Sequence, residues 1–130
     1  MTTINRVVPV AVWLLRVAGV VFAVAVLGQA VLAGMFVTGD VGMLTIHGFN
    51  AIVVVAAALL YAIAGIMLVR KDRTARRLIT MGLGAFVVAF VQIAVGGSRV
   101  LVVHIPLGVA MFAMAAQMMR LALTYGRENS

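Results

Sequence analysis

His47 and His104 are the only histidines in the chain, and each sits inside an apolar stretch, LTIHGFNA and LVVHIPLG respectively. An imidazole in such a setting either hydrogen-bonds a neighbouring helix or ligates a metal. Each histidine follows a glutamine on the preceding apolar segment. Gln29 opens QAVLAG and Gln92 opens QIAVGG, each just before a turn. Arg99 stands in the second of those turns, and Gly108 lies one helical turn beyond His104. The sequence contains no cysteine, which excludes disulfides, thiolate metal sites and cysteine nucleophiles. It has no serine–histidine–acid set, no glycine-rich phosphate loop and no paired carboxylates, so no catalytic constellation is visible.

The elements that must position these residues follow from composition. The chain has 130 residues, 65% of them apolar and 10% charged, with a mean hydropathy of +1.24. A soluble domain is roughly half apolar and about one quarter charged, so lipid must be the solvent here. A helix crosses a bilayer with about 20 apolar residues. Four segments of one 1–130 domain qualify, at Pro9–Val37, Leu44–Val69, Leu78–Gly96 and Leu101–Thr124. The connections TGDVGM, RKDRTARR and GSR are short enough to force neighbouring helices antiparallel. The first span is too long for the apolar core of a cleaved signal peptide and reads as an anchor.

Charge placement sets the orientation. Of the ten Lys and Arg residues, all but Arg99 lie at or near one side. Arg70, Lys71, Arg73, Arg76 and Arg77 mark the second connection as cytoplasmic, and Arg6 and Arg127 bring both ends to that side. Arg16 and Arg120 are close enough to it to snorkel. The net charge of +7 is therefore a topology signal rather than a nucleic-acid footprint. A composition rich in Ala, Val, Gly and Arg with a lone Lys71 points to a bacterial cytoplasmic membrane.

The two glutamine-turn-histidine units form an internal repeat. The expected fold is an all-α antiparallel four-helix transmembrane bundle built from two repeated helical hairpins, with the first loop about six residues longer. His47 and His104 then lie at matching depth, roughly 6–8 Å below the outer helix ends at 1.5 Å per residue. As members of the second and fourth helices they face each other across the diagonal, about 13 Å for axes 8–10 Å apart at the sides. Two imidazoles alone make a poor zinc site, whereas haem brings four equatorial nitrogens and asks only for axial ligands. The small-residue faces around them, with Ala51 on one helix and Gly108 on the other, suit a flat apolar ligand. Arg99 is a candidate partner for haem propionates, and Gln29 and Gln92 are candidates to hydrogen-bond an imidazole or the haem edge. Pro106 implies that the fourth helix either kinks there or starts there, leaving His104 just outside its first turn.

The Gln-x-x-x-Gly-Gly helix end, the outer turn and the helix-embedded histidine resemble haem A synthase, over Gln29 to Thr124. That resemblance implies one four-helix half of a protein with two such halves, with His47 and His104 as the axial pair of a single b-type haem. It also marks departures. Leu44 stands where the family has a glutamate shortly before the first histidine, the outer cysteine pair has no counterpart, and the second half is absent. These departures bear on haem oxidation and leave haem binding untouched.

The leading expectation is a small cytochrome b-like membrane protein for electron transfer, haem handling or redox sensing. Its partners would be the bilayer, one haem b per chain, and a homodimer or larger membrane complex. The alternative is a non-catalytic structural or assembly subunit without a cofactor. A proton-coupled exporter needs an ionisable group within the membrane, and Asp40, Asp72 and Glu128 all lie in loops or the tail. Copper binding through His and Met lacks a closely spaced Met cluster on the outer side; Met35 and Met43 are the nearest sulfur donors.

Overall fold

A computed structural model describes residues 3–126, and their side chains from Val8 onward. Arg127 and Glu128 lie outside the described residues, as does the side chain of Arg6. Four helices make up the fold: α1 (Thr3–Val37), α2 (Met43–Val69), α3 (Arg76–Gly97) and α4 (Leu101–Thr124). Each is long and apolar enough to cross a membrane, as expected for an integral membrane protein. Among the described residues there is no strand. Every backbone hydrogen bond in the spans is thus made within a helix, which is what a hydrocarbon solvent requires.

The turns are built locally. Both turns at the end away from the basic connection close their helix in a Schellman arrangement. After α1, Asp40 N–H donates to the Met35 carbonyl and Gly39 N–H to Phe36, with Gly39 at φ +115°. After α3, Val100 N–H donates to Val95 and Arg99 N–H to Gly96. Here a non-glycine residue takes the left-handed position, Arg99 at φ 59°. At the opposite end, Asp72 caps a single 3₁₀ turn (Arg73–Ala75) by accepting from Thr74 N at 2.9 Å and Thr74 Oγ1 at 2.6 Å.

α2 packs on α1 and α3, and α4 packs on α3 and α1, so α1/α3 and α2/α4 are the diagonals. The repeat is visible in which residues are buried. Aligning Gln29 with Gln92 puts buried Leu15, Gly19, Phe22 and Val26 of α1 over buried Leu78, Gly82, Ala85 and Ala89 of α3. Aligning His47 with His104 puts Val54, Ala58, Tyr61 and Gly65 of α2 over Met111, Ala115, Met118 and Ala122 of α4. Every buried residue of the second hairpin has a buried counterpart in the first. The two hairpins are therefore related by a pseudo-twofold axis running along the bundle.

Packing is uneven along that axis. No residue from Leu27 to Val53 is buried, and none from Phe90 to Ala110. The buried core reaches to Val26, Val54, Ala89 and Met111 near the middle of the helices and runs from there towards the basic connection, where alanine and glycine let backbones close in. A Cβ on Gly82 would stand 2.7 Å from the Ala62 nitrogen, so α2 and α3 touch backbone to backbone there. The histidines lie beyond that core, where side chains are only partly covered.

Helix α4 starts at Leu101 and continues through Pro106. His104 is inside its first turn, with its N–H on the Val100 carbonyl at 3.0 Å. The first turn of a helix needs no N–H partner from within, and Pro106 withholds only one donor just beyond it. The helix tolerates this and does not begin at the proline.

Candidate functional site

The histidine depth is set by helix starts. His47 lies four residues beyond Met43 and His104 three beyond Leu101, placing both about 5–6 Å below the outer helix ends at the standard rise. The two rings meet across the α2/α4 diagonal, with centroids 6.2 Å apart and planes inclined at 58°. As residues equivalent in the repeat, they meet on the pseudo-twofold axis.

Each ring is held in the same way. His47 Nδ1 donates to the main-chain carbonyl of Gln29 at 3.2 Å, and His104 Nδ1 donates to that of Gln92 at 3.1 Å. A carbonyl only accepts, so in each ring the proton is on Nδ1 and the lone pair is on Nε2. The repeated glutamines thus orient the imidazoles through their backbones rather than their amides. An α-helical carbonyl retains a second lone pair for such a bond. Two imidazoles that bind one metal from opposite sides, at about 2 Å per metal–nitrogen bond, hold their ring centres about 6 Å apart. The observed separation matches that span.

The amides have a different situation. Gln29 Oε1 and Gln92 Oε1 are both fully buried atoms without a hydrogen-bond partner. An orphaned acceptor costs on the order of 1–3 kcal/mol. The amide nitrogen of Gln92 lies over α4, 3.1 Å from where a Cβ on Gly108 would be. Gly108 therefore makes room for Gln92. Gly96 makes room for a histidine: a Cβ there would sit 2.8 Å from His104 Cε1. Arg99 is exposed at the α3–α4 turn, among the described residues the one Lys or Arg at that end.

Sequence reasoning did not single out Asn50, and it read Gly96 only as part of a helix-end motif. Asn50 Nδ2 donates to the Ala25 carbonyl at 2.8 Å, a second clasp between α2 and α1 one turn below His47. Its signal was available: a polar residue three positions after His47 shares the face that α2 turns to α1. Its counterpart in the second hairpin is Leu107, so the two halves differ in polarity here. Gly96 carried no such signal, because only the fold brings it against a ring.

Among the described residues, no group of three or more His, Asp or Glu side chains converges. The centre is two nitrogens on one axis, together with two buried amides. No family model, curated protein or solved structure matches the chain. The fold and site define an all-α membrane bundle with a paired-histidine centre, and function is argued from that centre alone.

Proposed function

We propose that this chain is a small membrane haem protein that holds one b-type haem between His47 and His104 and works in electron transfer, haem handling or redox sensing. The observation that carries this reading is the histidine pair itself. Two imidazoles, 6.2 Å apart between ring centres, have both Nδ1 protons committed to carbonyls and both Nε2 lone pairs free. A bare metal ion would find two protein ligands and want at least one or two more. Haem supplies its own equatorial set and needs an axial pair.

Other features agree with that fit. No residue from Leu27 to Val53 or from Phe90 to Ala110 is fully buried, so the side chains at the level of the rings are only partly covered. When bound, the haem iron would supply one-electron redox chemistry. The chain's own part is to hold the axial ligands, exclude water with apolar walls, and raise imidazole basicity through the Nδ1–H···O=C bonds. Arg99 is the cation placed to meet acidic groups at the outer edge. By the positive-inside rule the α2–α3 connection faces the cytoplasm and the histidine end faces outward, in a bacterial cytoplasmic membrane.

The test is the visible spectrum of the protein purified after expression with ample haem. A Soret band with the sharp low-spin bands of a bis-imidazole site is expected. His47→Ala and His104→Ala should each remove the low-spin bands while leaving the helix content by circular dichroism unchanged. A colourless wild-type protein, or a band indifferent to both substitutions, overturns the reading.

A further inference from the structure

The opposite end of the bundle carries features that the histidine centre does not use. Arg70, Lys71, Arg73, Arg76, Arg77 and Arg120 are all exposed there. The acid among them, Asp72, is already engaged: Oδ1 accepts from Thr74, and Oδ2 accepts from the Tyr125 hydroxyl at 2.9 Å. It makes these bonds with neutral donors, and its single negative charge stands against six exposed cations.

A cavity of about 390 Å³ opens at this end, walled by Val8 of α1, Leu68 of α2, Lys71 and Asp72 of the connection, and Tyr125 and Gly126 after α4. Its walls are of mixed character. Val8 and Leu68 are apolar, while Lys71, Asp72 and the Tyr125 ring edge are polar. Directly behind Tyr125 lies Arg16, whose Nη2 donates to the Tyr125 carbonyl at 3.3 Å. Arg16 is half-buried, and its Nε is a fully buried donor with no partner. Among the described residues no carboxylate meets this guanidinium, whose Nη2 is held by the Tyr125 carbonyl, and the field of a partly buried charge is weakly screened.

We infer that this cavity is a binding site for an anionic glycerophospholipid, with the phosphodiester beside Lys71 in the field of Arg16 and an acyl chain along Val8 and Leu68. The level is right for such a ligand: the site lies where the spans end, which is where lipid phosphates lie. The combination of an apolar wall, Lys71 within a group of six exposed cations, and the half-buried Arg16 behind Tyr125 fits a lipid better than a free anion, which has no use for the wall. The inference stands independently of the haem reading.

Delipidated protein in neutral detergent, titrated with short-chain phosphatidylglycerol, tests it by the shift in melting temperature. A saturable rise is expected with phosphatidylglycerol and little with matched phosphatidylcholine. Lys71→Gln should weaken half-saturation about fivefold, the loss of one interfacial cation, and Lys71→Arg should restore it. Arg99→Gln, at the other end of the molecule, should leave it unchanged. Equal shifts with phosphatidylcholine, or an equal loss in Arg99→Gln, would overturn the site. So would the same shift from inorganic phosphate, which would mark a simple anion site, or from polyglutamate, which would mark a protein-docking face.

Discussion

At the residue scale the imidazoles depend on small neighbours as much as on their carbonyl partners. Gly96 is the sharpest case, since a methyl group there would overlap His104 Cε1 at 2.8 Å. The ring would have to rotate off the Gln92 carbonyl to escape it. Gly96→Ala is therefore expected to keep the helices and the haem reading of His47, but to broaden or shift the low-spin bands through a displaced His104. Absorption and electron paramagnetic resonance check this; unchanged spectra would show that the ring position is not set by Gly96. Tyr125 is a second residue with a measurable signature. Burial, and then its bond to Asp72, push its hydroxyl up to about 12. The sign follows from linkage: a raised pKa contributes stability below the ordinary tyrosine value near 10 and loses it as pH climbs towards 12. Its partner works in the opposite direction. The Thr74 hydroxyl and N–H, then Tyr125, hold the Asp72 carboxyl below its usual range, so that contribution is present above the ordinary carboxylate value and fades as pH falls below it. Melting temperature against pH should show an alkaline loss that Tyr125→Phe removes.

At the element scale, the helices were legible because apolar runs of membrane length leave few alternatives. The sequence spans Leu44–Val69 and Leu101–Thr124 compare with helices Met43–Val69 and Leu101–Thr124. The matched depth of His47 and His104, and their diagonal relation, were legible from the repeat and the short turns. What could not be read was the path of each hydrogen bond. Nothing in the order of residues says that Gln29 and Gln92 serve through carbonyls, because every residue has one. The fate of Pro106 was equally open, since a proline near a helix start is compatible with either boundary. Nor does sequence disclose that the α3–α4 turn puts an arginine at φ 59°. That conformation costs a non-glycine residue on the order of 1 kcal/mol. Arg99→Gly should accordingly raise thermal stability by about that amount, read as a shift in melting temperature, provided the side chain has no bound anion to lose. A lower melting temperature in the presence of haem, but not in its absence, would assign the arginine to the cofactor's outer edge.

For the whole molecule, the contrast between a tightly packed core and a partly covered end makes opposite forecasts for like substitutions. Gly82→Val forces side-chain atoms onto the Ala62 backbone at 2.7 Å and should cost about 1–3 kcal/mol of overpacking, seen as a lower melting temperature in detergent. Gly97→Val, where an added Cβ meets nothing within 4 Å, should have far less effect. The axis itself has one more consequence. At mid-bundle, Tyr61 crosses the centre and donates to the carbonyl of Met118, its own equivalent in the repeat, at 3.1 Å. Both side chains are wholly enclosed. Two identical hairpins that merely associated would have to set the same side chain on each side of the centre line, and two tyrosines would compete for a single vacancy. Covalent fusion frees the halves to diverge there, large against flexible, donor against acceptor. The linkage between α2 and α3 thus does more than keep the halves together: it permits an unequal pair at a point where symmetry would demand twins.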